Sequence, residues 1–145
     1  MSEEPTPGII SVLRRTARAM VHELIAGLEA AGYRDVQPAY HPVFECIDRG
    51  GTRLTELAAR ADMTHQSMSE VIAALEQRGY VERRPDPSDG RARLVCLTPH
   101  GTQLRRVANA LIRDIERSWQ TRWHDRGLDA DVRRVMLAAL EETPS

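Results

Sequence analysis

The feature that most constrains the fold is a change of hydrophobic period in the middle of the chain. Between residues 54 and 79, apolar residues recur at helical spacing in two short runs separated by a few residues. From residue 80 to 97 the pattern approaches period two, and a segment rich in proline, aspartate and glycine interrupts it. Two short helices joined by a tight turn are typical of a helix-turn-helix, and the second pattern predicts a β-hairpin. We therefore predict a winged helix-turn-helix.

Capping residues and turn formers indicate where these elements begin and end. Thr52 and Thr64 precede the two short helices, where a threonine hydroxyl can accept a hydrogen bond from a free backbone N–H. Strands are predicted at 80–84 and 91–97, and a turn at 85–90. The hairpin follows the second helix without a linker, so the two elements are expected to form one lobe.

Amphipathic helices are predicted on both sides of this lobe. One covers residues 9–28, another runs from Thr98 to Gly127, and Asp129 can cap a short final helix. The helix after Thr98 could extend roughly 40 Å, beyond the ~30 Å of a small domain, and the first helix reaches about that span, so a monomer would expose their apolar stripes. We predict a mainly α homodimer in which 1–35 and 99–145 form a helical dimerisation region and 36–98 the winged lobe.

Size and composition agree with one globular domain. The chain has 145 residues, of which 41% are hydrophobic and 28% charged, and no apolar run approaches the ~20 residues of a membrane span. We expect a soluble, cytoplasmic protein that does not contact membranes. The net charge is only −1, but residues 78–106 hold seven arginines against three acidic residues, a local charge of +4. This local excess is compatible with a polyanionic partner.

The residues expected to contact DNA lie at the start of the second short helix and in the hairpin. The helix places its apolar residues inward, which leaves a polar first turn for base edges and phosphates. Asp89 precedes Arg91 by two residues, so its carboxylate is expected to orient that guanidinium for a narrow minor groove. The predicted helix contacts are Thr64, His65, Gln66, Ser67 and Ser69, and the predicted wing residues are Arg83, Arg84, Asp89, Arg91 and Arg93.

Four segments of this region resemble the MarR (multiple antibiotic resistance) family of bacterial transcription regulators. They are LTELA at 54–58, LEQRGYVER at 75–83, DPSDGR at 86–91 and LTPHG at 97–101. The resemblance implies a homodimer on a pseudo-palindromic double-stranded DNA operator, usually a repressor that a small molecule or an oxidant releases. By position, Asp89 and Arg91 match the family's wing-tip acid and arginine, and residues 65–69 match the start of its recognition helix. Gly90 stands where the family often has a second arginine, which predicts a looser tip or a weaker wing contact.

The resemblance also implies an effector site where the helices meet the DNA-binding lobe. A small aromatic or phenolic compound is the expected effector. The candidate residues are His22, Tyr40, His41 and Phe44, and each of them also fits a role in the core.

Other kinds of site have less support. The five histidines form no pair at metal-ligand spacing, so neither a metal nor another cofactor is expected. No nucleophile elbow, phosphate loop or paired-carboxylate spacing indicates an enzyme. Peroxide-sensing members of the family use a cysteine near the start of the chain, but the first cysteine here is Cys46. A thiol-based redox sensor using Cys46, and a winged helix that binds another protein, remain the alternatives.

Overall fold

The computed structural model describes residues 6–142 and is mainly helical, with one two-stranded sheet. The elements are α1 Ile9–Ala30, α2 His41–Cys46, α3 Leu54–Arg60, α4 His65–Gln77, β1 Val81–Asp86, β2 Asp89–Leu97, α5 Pro99–His124 and α6 Val132–Glu141. A 3₁₀ turn, Pro38–Tyr40, leads into α2. Within residues 6–142 no helix is long and apolar enough to span a membrane. The predicted fold class, a winged helix-turn-helix with helical flanks, is confirmed.

The turn between α3 and α4 depends on one threonine, as the sequence predicts. Thr64 is the N-cap of α4, and its Oγ1 accepts a hydrogen bond of 3.1 Å from the backbone N–H of Ser67. Asp62, inside the turn, has a φ of +51°, a left-handed conformation that aspartate tolerates better than most residues. These local interactions end α3 and start α4 within four residues.

The prediction that Thr52 caps α3 is wrong, because Arg53 occupies the cap position. Thr52 is buried instead and forms an isolated antiparallel bridge with Val95 of β2. Their backbone groups exchange hydrogen bonds of 3.0 and 2.9 Å, and the Thr52 hydroxyl accepts another from the Asp48 N–H. Three hydrogen bonds at a buried position outweigh the one that a cap would provide.

The hairpin is longer than predicted, and its turn is shorter. β1 and β2 pair in antiparallel fashion until Asp86 lies opposite Asp89. Of the predicted turn over 85–90, only Pro87 and Ser88 lie between the strands. The reason is local, since Oδ1 of Asp86 accepts hydrogen bonds from the backbone N–H and the hydroxyl of Ser88 at 2.8 and 2.7 Å. The carboxylate closes the turn and keeps the flanking residues in the ladder.

A very close approach joins α5 to the start of the wing. A Cβ built on Gly101 would lie 1.9 Å from the carbonyl oxygen of Tyr80. Thr98 caps α5 at the same place, because its Oγ1 accepts from the Gly101 N–H at 3.0 Å and donates to the Gly79 carbonyl at 2.5 Å. Glycine is therefore required in the first turn of α5, where backbone meets backbone.

The core lies inside the winged lobe, and α1 and α5 extend from it. Leu24 and Leu28 of α1 contribute to the core, and so do Leu104 and Ala108 of α5. The largest fully buried side chains come from the lobe and the first turns of α5: Val43, Thr52, Leu57, Met68, Ile72, Leu75, Tyr80, Val95 and Leu104. This core sets the positions of α4 and of the wing relative to each other.

The apolar ends of the flanking helices are exposed in the single chain, as their stripes predict. Ile10 is 82% exposed and Leu140 is 68% exposed. α6 buries no residue, and its cap is Asp131 rather than the predicted Asp129. Asp129 pairs instead with the Nδ1 of His124 at 2.6 Å, which takes its carboxylate away from the helix start.

Candidate nucleic-acid interface

The first turn of α4 presents polar side chains to the surrounding solvent. His65, Gln66 and Ser67 are exposed and Ser69 is half-buried, whereas Met68 is fully buried. The spacing of a helix explains this division, because Met68, Ile72 and Leu75 repeat every three or four residues and face the core. The four polar residues therefore share an outward face, as the sequence predicts.

Hydrogen bonds within α4 already engage two of these side chains. The Thr64 hydroxyl donates to the Ser67 hydroxyl at 2.9 Å, so both residues serve the helix cap. Gln66 Nε2 donates to Glu70 Oε1 at 2.9 Å. Glu70, one turn along the same face, was missed by the sequence reasoning. A base contact by Gln66 must replace this hydrogen bond, and the Glu70 carboxylate would repel a nearby phosphate.

The wing arginines fall into two pairs with different surroundings. Arg83 Nε donates to Glu76 Oε1 of α4 at 2.5 Å, and Arg84 forms an ion pair with Glu82. Arg91 and Arg93 are exposed, and their guanidinium groups contact no acidic residue within the described part of the chain. Within the wing, the arginine charge that is free of an acidic partner therefore lies on β2.

The expected contact between the carboxylate of Asp89 and the guanidinium of Arg91 is wrong. Asp89 Oδ1 accepts instead from the backbone N–H of Arg91, at 3.1 Å. Asp89 Oδ2 lies 3.9 Å from Nη2 of Arg53, which stands before α3. Asp89 thus acts on the backbone of the tip, because the short turn directs its carboxylate away from the Arg91 side chain and toward Arg53.

Asp86 of the wing forms an ion pair with Arg53, the residue before α3, and the sequence reasoning did not select either residue. Arg53 Nε and Nη2 both donate to Asp86 Oδ2, at 2.9 and 2.7 Å. Hydrogen bonds from Ser88, followed by those from Arg53, lower the pKa of Asp86 from 3.8 to about 2. The aspartate in an Asp-Pro-Ser turn is a recognisable signal, but nothing local indicates a partner 33 residues away.

The residues predicted to form an effector site lie in different surroundings. Tyr40 is only 4% exposed, belongs to the core, and lies under the guanidinium of Arg78. Phe44 packs edge-on against Tyr80 with 6.2 Å between ring centroids. His41 Nδ1 is 3.7 Å from the Glu45 carboxylate. His22 is exposed on α1.

An open groove of about 570 Å³ lies elsewhere, between α1, α5 and α6. Its apolar lining includes Met20, Trp123, Met136 and Leu137. The groove adjoins the exposed apolar part of α6, so it belongs to the surface that the sequence assigns to dimerisation.

Neither a reactive thiol nor a metal site stands out among residues 6–142. Burial, followed by the charge of Glu45, raises the pKa of Cys46, and Arg60 offsets this only in part. A raised pKa disfavours the thiolate that a redox sensor needs. No group of three or more histidine, cysteine or acidic residues in the described range could hold a metal ion.

Comparison with known proteins agrees with this geometry. The sequence profile of the MarR family matches residues 34–92. An HTH-type transcriptional regulator of Mycobacterium bovis is 33% identical over 90 residues, which are 61% of this chain and 63% of the relative. An HTH-type transcriptional repressor of Mycobacterium tuberculosis is 36% identical over 76 residues, 50% of this chain and 55% of the relative. The chain thus spans less than two thirds of the length of these curated relatives.

A solved structure extends the likeness of fold to nearly the whole chain. CouR from Rhodococcus jostii RHA1, bound to p-coumaroyl-CoA, superposes with a TM-score of 0.76, covers 99% of both chains and is 22% identical. At this identity the likeness concerns the fold. Together with the profile and the relatives, it leads to one conclusion: the chain is similar to the MarR family, whose profile matches residues 34–92, and its fold resembles that of CouR.

Proposed function

We propose that this protein is a sequence-specific DNA-binding transcriptional repressor that acts as a homodimer on a pseudo-palindromic operator. The observation that carries the proposal is the exposed polar first turn of α4 combined with Arg91 and Arg93 of β2, which are exposed and form no ion pair with any residue between 6 and 142. A helix of this kind enters a major groove, while a wing contacts the flanking backbone or minor groove. The repressor named among the relatives supports the sign of regulation.

In this proposal the side chains have different roles. His65, Gln66, Ser67 and Ser69 read bases, and Thr64 holds the helix start in position. The four wing arginines bind the phosphate backbone or the minor groove: Arg83, Arg84, Arg91 and Arg93. Arg83 and Arg84 first release Glu76 and Glu82, a small cost because exposed ion pairs stabilise by only ~0–1 kcal/mol.

The homodimer rests on the exposed apolar surface of the flanking helices. Ile9, Ile10, Val135, Leu137 and Leu140 are each between 49% and 82% exposed, and a second copy would remove them from water. The dimerisation region extends over 1–35 and 99–145, and the DNA-binding lobe over 36–98. Residues 1–5 and 143–145 of that region lie outside the described residues.

We also propose that a small molecule controls operator binding from the helix junction near His22, His41 and Phe44. CouR is bound to an aromatic acyl-CoA, which supports aromatic acids and their thioesters as the first compounds to test. An effector acts only if it binds one spacing of the two lobes better than another, typically by ~1–3 kcal/mol. Tyr40 is assigned to the core because of its burial.

The test is selection of duplexes by the full-length protein from a random pool of about 30 base pairs, long enough for two half-sites one helical turn apart. We expect an imperfect inverted repeat to be enriched and a dimer to bind it. The variant Arg91→Ala/Arg93→Ala should lose affinity, whereas Arg126→Ala, which removes an exposed arginine in the turn that follows α5, should not. Failure to enrich any sequence, or equal binding by the double variant, would contradict the proposal.

Effector control requires a separate measurement on the selected duplex. Aromatic acids, phenols and acyl-CoA thioesters are screened by thermal shift, and each stabilising compound is then titrated into the protein–DNA complex. We expect at least one to lower operator affinity roughly five- to 150-fold. If every stabilising compound leaves the affinity unchanged, this route of control is wrong.

A further inference from the structure

The carboxylate of Asp86 accepts four hydrogen bonds, two from its own turn and two from an arginine 33 residues earlier in the chain. Oδ1 accepts from the N–H and hydroxyl of Ser88, and Oδ2 accepts from Nε and Nη2 of Arg53. All four distances are between 2.7 and 2.9 Å, and the residue is 7% exposed. A nearly buried charge requires such partners, since an unpaired one is strongly unfavourable.

These contacts join the tip of the wing to the helix-turn-helix. Arg53 is the residue before α3, next to Thr52, whose backbone pairs with Val95 in β2. The Thr52 bridge holds the body of the hairpin, while Arg53 reaches Asp86 at its tip and approaches Asp89 at 3.9 Å. A two-stranded hairpin is only marginally stable by itself, so the direction of its tip depends on such contacts.

We propose that Arg53 is a positioning residue for DNA binding: through Asp86 it sets the wing tip, and with it Arg91, at a fixed distance from the recognition helix α4. This inference rests on the proposed function, because it concerns how the same interface is held ready. Arg91 itself is anchored to the tip by its backbone N–H, which donates to Asp89 Oδ1 at 3.1 Å. In a variant that lacks Arg53, the Arg91 side chain is therefore still present, but the tip that carries it is free to move.

The charge of Arg53 could act in another way, by direct contact with a phosphate. The two mechanisms predict opposite results for Asp86→Asn. That substitution removes a negative charge and frees Arg53, so direct contact predicts equal or tighter binding. Positioning predicts weaker binding, because the tip loses its ionic partner.

Arg60, the last residue of the helix that Arg53 precedes, supplies a matched control. Its side chain is 37% exposed, against 42% for Arg53, and it pairs with Asp48 at 3.0 Å and Glu56 at 2.5 Å. Arg53→Met and Arg60→Met each remove one positive charge and one ion-paired arginine. Only Arg53 touches the wing.

The first measurement is hydrogen exchange of the full-length protein without DNA, followed in the peptide that spans residues 84–93. We expect faster exchange in Arg53→Met and Asp86→Asn, and wild-type exchange in Arg60→Met. Wild-type exchange of this peptide in Arg53→Met would overturn the inference, whatever the protein does with DNA.

The second measurement is affinity for the duplex selected by the wild-type protein, across a salt series. Arg53→Met and Asp86→Asn should each weaken binding roughly five- to 150-fold, the effect of one lost arginine–DNA contact, and flatten the salt slope by about one unit. Arg60→Met should stay within about twofold of wild type. In the Arg53→Met background, Arg91→Ala should cost little more, because its contact is already lost.

The remaining outcomes separate the explanations. Additive effects of Arg53→Met and Arg91→Ala, or full affinity in Asp86→Asn, would overturn the positioning role. A wild-type protein that selects no duplex would refute the proposed function, while the exchange experiment would still decide whether Arg53 holds the tip.

Discussion

Replacing Gly101 by alanine should destabilise the protein by an amount that the structure allows us to work out. The added Cβ would lie 1.9 Å from the Tyr80 carbonyl oxygen and 2.9 Å from its carbonyl carbon, whereas real Cβ contacts are longer than 3.0 Å. Because both atoms belong to the backbone, no side-chain rotation can relieve the overlap. α5 must move by about 1 Å or more from the start of β1.

Three terms contribute to the expected free energy. Overpacking typically costs ~1–3 kcal/mol. The shift also weakens the Thr98 cap, whose hydrogen bond to the Gly101 N–H is 3.0 Å long, and loss of such a cap costs ~1 kcal/mol. The higher helix propensity of alanine offsets up to ~1 kcal/mol of this destabilisation. The net destabilisation is therefore about 1–3 kcal/mol, and we expect Tm to fall by roughly 3 °C for each of these kcal/mol.

Urea denaturation followed by circular dichroism measures this free energy, at one fixed protein concentration because a dimer's stability depends on it. Gly90→Ala is the matched control, since a Cβ there meets nothing within 4 Å and its φ is not in the left-handed region. We expect Gly90→Ala to fall within ~0.5 kcal/mol of wild type. Equal midpoints for Gly101→Ala and wild type would refute the reasoning.

Three further predictions concern charge, recognition and assembly. The pKa of Asp86 is lowered from 3.8 to about 2, so its contribution to stability is present above pH 4 and lost as the pH falls through 2. Asp86→Asn should therefore make the urea midpoint less dependent on pH over that window, and a pH profile identical to that of the wild type would contradict the assignment. Gln66→Ala should relax base preference at one position per half-site, at a cost of ~1–3 kcal/mol in binding free energy, whereas Arg93→Ala should lower the affinity for all sequences alike. Competition binding on matched and scrambled duplexes distinguishes these two results. Ile10→Glu and Leu140→Glu should each shift the dimer toward monomer or aggregate in light scattering, while an unaltered dimer in both would show that these side chains lie outside the interface.

The site was predictable from sequence wherever its geometry is helical and local. The period of α4 determines that Met68 faces the core while His65 and Gln66 face outward. The assignment of these residues to DNA contacts stays a prediction. The surroundings of the candidate effector residues could not be predicted in this way, because the burial of Tyr40, for example, depends on which helices pack around it.

The sequence by itself determined the order of the elements, the helix-turn-helix, the hairpin and the caps at Thr64 and Thr98. These features depend on hydrogen bonds and hydrophobic periods within a few residues, which any stretch of chain carries with it. Tertiary structure alone decided that Thr52 pairs with the sheet, that Gly101 must have no side chain, and that Arg53 meets Asp86 33 residues later. The partners in each of these contacts come from separate elements, and no local pattern records which elements the core brings together.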